Sequence, residues 1–351
     1  MSDRSQQMCY IIIVNWNGWR DTIECLESVF RMKHESFRVI VCDNGSTDQS
    51  LNHIEQWAQG ELAAKSTSLN SNTESRKPVS KPIGHRLFQR DEVLTNRTQF
   101  DLPLLLVRND RNGGFAGGNN LALRLALSQQ DMTSAWLLNN DTVVNEDALG
   151  ALLRKSAQNS NAGMIGSTLL YYDRPEKVQA FGGARFYPLI GLSVHIGRFF
   201  GTHRPVIEGD IEKKMDYAVG ASMLVTREFL STVGLMSEEY FLYYEELDWA
   251  LRAKHGFVIG YARESLVYHK AGASIGSSNT TSRRSLMSDY YLMRNRLVIT
   301  RKFFPQYLLS VRLFMLVEVL IRVLNGNLKQ ASNTLRLAFN RDCADPASTR
   351  K

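Results

Sequence analysis

A chain of 351 residues with 44% hydrophobic and 22% charged residues is long enough to bury a large core, which excludes a small stapled scaffold. Its formal net charge of +7 favours an anionic partner, with nucleotide phosphates and anionic lipid headgroups both fitting. Cys9, Cys25, Cys42 and Cys343 show no CxxC spacing and three of them sit in apolar runs, which points to a reducing cytosol.

In chain order, the first apolar run is residues 8–14 of MSDRSQQMCYIIIVNW. It is too short for the core of a signal peptide and reads as a buried strand closing at Asn15 to Gly18. DTIECLESVFRM repeats apolar residues at helical spacing, and FRVIVCDNGSTDQS is a second strand that stops at turn residues before the helical SLNHIEQWA. Strand, helix, strand, helix predicts a parallel, right-handed βαβ sheet, whose ligand side lies at the strands' carboxyl ends, near Asn15 and Asp43. Residues 60–99 are polar and nearly aperiodic, and are expected to form an inserted, mobile loop.

Order returns with the strand LPLLLVRND, the glycine turn NGGFAGGNN feeding an amphipathic helix, and the strand SAWLLNNDTVV, which breaks at Asn139, Asn140 and Asp141. Residues 163–220 read only as mixed α/β. Near the end, QYLLSVRLFMLVEVLIRVLNG is strongly apolar but carries Arg312, Glu318 and Arg322, a costly set for a spanning helix. An i, i+4 pair of Glu318 with Arg322 softens that cost, and the basic neighbours Arg301, Lys302, Lys329 and Arg336 favour an anionic membrane surface. An ordinary packing helix or a dimer contact is the equal alternative.

Several groups could carry chemistry. Asp43 closes the second strand, and an acceptor-only carboxylate there suits a pyrimidine N–H or ribose hydroxyls, or simply caps a turn. NGGFAGGNN matches neither the dinucleotide fingerprint nor a phosphate loop, which disfavours a nicotinamide enzyme or an NTPase and leaves other nucleotide-handling folds open. Asp141 could bridge a hard divalent cation to a diphosphate, and His269 in LVYHKAG could ligate manganese. FLYYEELDWALR crowds Glu245, Glu246 and Asp248 beside Tyr243, Tyr244 and Trp249; surface decoration is the competing account.

Taken together, VNWNG, CDNGSTD, NGGFAGGNN, LLNNDT, DYAVGASMLVTRE, FLYYEELDWALR, VYHKAG and DYYLMRNRL occur in an order that resembles glycosyltransferase family 2. The likeness is greatest to the rhamnosyltransferase-like members that build bacterial surface polysaccharides, and it covers residues 10–301 apart from 60–99. It implies a GT-A fold: an α/β, Rossmann-like nucleotide-diphospho-sugar transferase domain over residues 1–275 with a mostly parallel sheet; residues 276–351 follow as a helical region, for which the apolar and basic residues above leave membrane association or packing on the domain. By position, Asp43 resembles the base-and-ribose contact, with Asn15, Asn17, Asn44, Gly114, Asn119 and Asn140 in the nucleotide-sugar pocket. Asp141 resembles the last acid of the DxD metal motif, whose first acid is replaced here by Asn139, and His269 matches the late metal-ligand histidine. Glu246 stands where the family's general base stands, with Glu245 as its understudy; crowding by Glu245 and Asp248 should raise its proton affinity. Arg252 is expected to fork onto one of these carboxylates or to meet the diphosphate. Asp216, Gly220, Ala221, Tyr244, Asp248 and Trp249 fall on the acceptor side.

The resemblance thus implies an inverting, metal-dependent hexosyltransferase, to which the cysteines and the apolar, basic-flanked C-terminal helix add a cytoplasmic location, peripheral on the inner face of the membrane, with homodimerisation open. It would take a dTDP- or UDP-sugar donor, a Mg2+ or Mn2+ cofactor and a glycan or lipid-linked acceptor, and no nucleic acid. A nucleotidyltransferase-like enzyme of sugar activation is the alternative, distinguished by release of pyrophosphate; a silent sugar-binding scaffold is the third.

Overall fold

The computed structural model describes residues 8–64, 79–95, 98–270 and 285–339. The expected strand-helix repeat opens the chain as β1 (Met8–Asn15), α1 (Trp19–Val29), β2 (Phe37–Asn44) and α2 (Ser50–Gln59). β1 and β2 are parallel, from Cys9 opposite Phe37 to Asn15 opposite Asp43, so the two side chains expected to share a site leave the sheet at the same level. There follow β3 (His85–Gln89), α3 (Arg90–Thr95), β4 (Leu104–Asn109), α4 (Gly114–Leu127), β5 (Met132–Asn139), β6 (Thr142–Val144) and α5 (Ala148–Gln158). The middle adds β7 (Ala162–Tyr171), β8 (Arg174–Phe181), β9 (Gly183–Tyr187), β10 (Leu192–His195), α6 (Glu208–Glu212), β11 (Tyr217–Ala218), β12 (Ser222–Thr226) and α7 (Arg227–Val233). Then come α8 (Glu245–Ala253), β13 (Val258–His269), α9 (Leu286–Phe303), α10 (Leu308–Leu324) and α11 (Leu328–Ala338).

The main sheet runs β3-β4-β2-β1-β5-β12-β7-β13-β6, with β8 beside β7, and a small sheet β10-β9-β11 stands apart. From β3 to β5 every pairing is parallel. Beyond β5 the sheet is mixed: β12 is antiparallel to both neighbours and β13 is parallel to β7 but antiparallel to β6. A mostly parallel sheet therefore describes only the first half. β12 starts at the ligand rim, with Ser222 opposite Leu138 near the end of β5, so a chain descending from the small sheet must run the other way.

Alternation along β1 divides the core into two layers. Tyr10 and Ile12 join the side packed by Leu121 and Leu125 of α4 and Trp249 of α8, while Ile11 and Ile13 join the side packed by Ile23 and Leu26 of α1 and Leu149 of α5. Cys9, Cys25 and Cys42 are buried free thiols; burial pushes Cys9 and Cys25 up to about 12, and Cys343 lies outside the described residues.

Two expectations are corrected here. Within residues 60–99, His85–Gln89 is an edge strand on β4 and Arg90–Thr95 is a helix, with Phe88 and Val93 buried in the core, while 65–78 and 96–97 lie outside the described residues. A strand of five residues carries too few alternations to stand out from polar flanks. In α10, Glu318 and Arg322 do not pair with each other: Arg322 forks onto Asp289 of α9 at 2.6 and 2.8 Å, and Glu318 meets Arg296 of α9 at 2.6 Å. Among the described residues, no helix is long and apolar enough to cross a membrane.

Candidate active site

At the carboxyl ends of β1 and β2, Asn15 Nδ2 donates to Asp43 Oδ1 at 2.7 Å, and the Ser46 amide and hydroxyl donate to the same carboxylate at 3.2 and 2.5 Å. Thr22 Oγ1 donates to Asn15 Oδ1 at 2.7 Å, and Asn17 Oδ1 accepts from the Thr47 amide at 2.8 Å. The Asn17 amide donates to Ser46 Oγ at 2.8 Å, which joins Asn15, Asn17 and Asp43 in one hydrogen-bonded group. Asn44 is spent on the glycine turn: its oxygen accepts from Asn109 and from the Gly113 amide, and its nitrogen donates to Asn112 and to the Gly114 carbonyl.

Beside this rim opens a cavity of about 630 Å³. Of the residues singled out in the sequence, Asn44, Gly114, Asn119, Asn140, Asp141, Gly220, Ala221, Tyr244, Glu245, Glu246 and His269 line it. Asn15 and Asp43 lie behind the wall formed by Val14, Trp16 and Asn44.

Asp141 and His269 meet at one end of the cavity, with Nε2 3.2 Å from Asp141 Oδ1. Gln179 Oε1 lies 2.8 Å from His269 Nδ1; with that amide oxygen accepting, the ring proton sits on Nδ1 and the Nε2 lone pair faces the carboxylate. Two acceptors turned toward each other share either a proton or a cation, so the pair fits a divalent ion. No cluster of three His, Cys, Asp or Glu side chains suited to a metal occurs among the described residues, so the remaining ligands would be diphosphate oxygens and water. Asn139 Nδ2 stands 3.4 Å from the same Nε2, adding no charge.

The acidic stretch is placed by an unusual backbone. Phe241, Tyr243 and Tyr244 have φ of 62°, 71° and 73°, in the left-handed region that non-glycine residues avoid. Three residues, Phe115, Asn295 and Gly191, hold them there. The Phe241 carbonyl accepts from the Phe115 amide at 2.8 Å; Asn295 Nδ2 in α9 donates to the carbonyls of Tyr240, Leu242 and Tyr243 at 2.6, 2.8 and 3.2 Å; and the Tyr244 hydroxyl donates to the Gly191 carbonyl at 2.8 Å. The result starts α8 at Glu245 and Glu246, where helix N-terminal amides favour negative charge.

Glu246 Oε1 accepts from the Gly220 amide at 3.1 Å, and a Cβ on Gly220 would stand 2.4 Å from that oxygen, so glycine is needed for the approach. Burial pushes the Glu246 carboxyl up, and the backbone hydrogen bonds only partly oppose it. Glu245 is pushed up further, first by burial and then by the neighbouring Glu246; its Oε2 is buried with no hydrogen-bond partner among the described residues. A carboxyl raised in the folded state contributes most below its unfolded pKa, and that contribution is lost as the pH rises through the folded value. Glu245→Gln should therefore melt at or above the wild type, with the margin widening from acidic to neutral pH toward about 1–3 kcal/mol. A variant that melts lower at neutral pH would assign Glu245 a stabilising contact.

Three acceptor-side expectations fail. Asp248 is fully buried and turned from the cavity, accepting from the Tyr240 hydroxyl at 2.9 Å, Arg252 Nε at 2.7 Å and Lys302 Nζ at 2.5 Å. It anchors α8, and burial rather than its crowding raises Glu246; Arg252 meets Asp248 through Nε alone, its other two nitrogens donating to the Val233 and Leu235 carbonyls, so it neither forks onto a carboxylate nor reaches the cavity. Trp249 packs in the core and donates to the Gly234 carbonyl. Asp216 is exposed and caps the Phe186 amide at 2.7 Å. The left-handed backbone that starts α8 turns Asp248 toward Tyr240 and Lys302 and Trp249 into the core, while Asp216 precedes β11 at the surface. Conversely, Asn295, Arg296, Gln179 and His195 were not singled out. Arg296 and His195 line the cavity, and burial, then Arg198, lowers His195 to about 4.

A mixed sheet flanked by helices, with its cavity at the strand ends, is also the fold of solved nucleotide-sugar enzymes. The structure matches the mannosyltransferase PcManGT of Pyrobaculum calidifontis, solved with GDP-Man and Mn2+, at a TM-score of 0.51 and 14% identity over 97% of this chain and 77% of that one. The class is therefore a nucleotide-sugar glycosyltransferase fold. A family profile described as glycosyl transferase family 2 matches residues 10–73. The chain is 25% identical over 235 residues to the dTDP-rhamnosyl transferase RfbF of Shigella flexneri, covering 63% of this chain and 73% of that one. It is 26% identical over 146 residues to the low-salt glycan biosynthesis hexosyltransferase Agl10 of Haloferax volcanii, covering 41% of this chain and 44%, less than half, of that one. By these matches the chain is similar to family 2 glycosyltransferases, with a rhamnosyltransferase and a hexosyltransferase among the relatives.

Proposed function

We propose that the chain is an inverting glycosyltransferase of GT-A architecture. It moves a hexose, with rhamnose the leading candidate, from a dTDP- or UDP-sugar to a hydroxyl of a glycan or lipid-linked acceptor in cell-surface polysaccharide biosynthesis. The relatives support the reaction class, and one observation carries the assignment: Glu246, raised by burial, shares a cavity with the Asp141 and His269 pair. In a single displacement, Glu246 takes the proton of the acceptor hydroxyl as that oxygen bonds to the anomeric carbon. The bond from that carbon to the diphosphate oxygen breaks on the opposite face, and the nucleoside diphosphate departs with the electron pair. Asp141 and His269 would hold a divalent cation, which supplies charge neutralisation to the departing diphosphate. The hydrogen-bonded group of Asn15, Asn17 and Asp43 supports the wall of Val14, Trp16 and Asn44 against which the nucleoside packs.

Incubation with dTDP- and UDP-hexoses, Mn2+ and a sugar acceptor tests this. The expected products are a nucleoside diphosphate and a glycoside whose anomeric configuration, read by NMR, is opposite to the donor's. Pyrophosphate release would instead establish a nucleotidyltransferase, and a retained configuration would remove the single displacement.

A further inference from the structure

Helix α10 is amphipathic in the wrong sense for a soluble domain. Leu309, Leu313, Val317, Leu320 and Leu324 recur every three or four residues and are 70, 56, 50, 64 and 86% exposed. Two of its three charged residues, Glu318 and Arg322, instead turn inward onto Arg296 and Asp289 of α9, and the third, Arg312, is half-buried. The apolar strip continues past the helix through Leu328, Leu335 and Phe339, at 63, 41 and 62% exposure. Such a continuous patch marks an interaction surface rather than chance.

Charge decides what covers it. Between residues 305 and 339 the only acid in the sequence is Glu318, which faces inward, whereas Lys329 and Arg336 are exposed beside the strip. The segments outside the described residues, 1–7, 65–78, 96–97, 271–284 and 340–351, are polar in sequence and offer no matching apolar strip. A second copy meeting this face about a two-fold axis would bring an apolar strip with basic flanks and no acid against its own image, gathering like charge with none of the opposite sign. An apolar interior below a layer of anionic headgroups matches both features at once.

We propose that the outward face of α10 and α11 docks on an anionic phospholipid bilayer, with α10 lying in the interface plane. Ile321 of α10 is half-exposed and also forms part of the cavity wall, so docking brings that wall to the bilayer surface. This goes beyond the transfer reaction and stands independently of it.

Flotation of the full chain with vesicles tests the proposal, using phosphatidylcholine alone and phosphatidylcholine with phosphatidylglycerol. The protein should float with the anionic vesicles and detach as salt rises. The double variant Leu313→Glu/Leu320→Glu, in two exposed residues that do not line the cavity, should lower the partition coefficient by about tenfold or more while the melting temperature stays put. Flotation with neither vesicle, equal flotation with both, or a double variant that floats like the wild type would each overturn it. So would a dimer by light scattering that the double variant dissolves without any vesicle binding. Because flotation is read without sugar transfer, failure here is distinct from failure of the reaction proposed above.

Discussion

Glu246→Gln should lower turnover by about 10²–10⁴-fold, the range removed with a positioned general base, while dTDP or UDP still stabilises the protein against heat. The amide keeps the shape of the side chain and can still accept from the Gly220 amide through the oxygen that now does so, so the cavity wall survives. What it loses is the ability to take a proton. The wild-type rate should rise with pH along a limb displaced above the ordinary carboxylate range, because burial raises Glu246 and only its ionised form is a base. The glutamine variant should lack that limb in whatever activity remains. Turnover near the wild-type value would transfer the role to Glu245, and loss of nucleotide binding as well would mean the substitution had disturbed the fold.

Gly114→Ala should be nearly as damaging from outside the chemistry. Gly114 has φ +73°, and a Cβ there would stand 2.1 Å from the Phe241 carbonyl oxygen, a backbone atom that cannot step aside alone. The strained segment from Phe241 to Tyr244 must then move, and Glu246 with it. A loss of roughly 2–4 kcal/mol of stability and at least about tenfold in turnover is expected. Asn295→Ala probes the same segment from the other side. It removes a donor from the carbonyls of Tyr240, Leu242 and Tyr243, so turnover should fall while nucleotide affinity holds, a split that general destabilisation would not produce. Equal losses in both quantities would reduce Asn295 to a packing residue.

The N-terminal half of the fold was legible because its signals are local. Each of β1 and β2 is an apolar run ending in Asn, Asp or Gly, and the helices α1 and α2 repeat their apolar residues with one period. The antiparallel course of β12 is not local: it follows from where the small sheet sits, which no run of residues in SMLVT announces. The site divides the same way. Asn15 with Asp43, and Asp141 with His269, converge because strand ends converge, and strand ends can be read. Within FLYYEELDWALR, by contrast, the direction of each acid depends on the left-handed backbone that sets the start of α8, so Asp248 and Trp249 were misplaced on the cavity. Asn295 escaped notice because its contacts run to carbonyls about fifty residues earlier, and an asparagine inside a helix carries no outward mark of that duty.

Helix α9 supplies the donor that clasps the loop, an arginine in the cavity wall and the lysine that reaches Asp248. A division at residue 275 therefore cuts through the workings rather than between parts. Trimming the protein to its α/β sheet would not give a smaller version of it but a frame in which the segment before Glu246 has lost its anchorage, and any chimera that exchanges the tail must keep the stretch from Leu286 to Phe303.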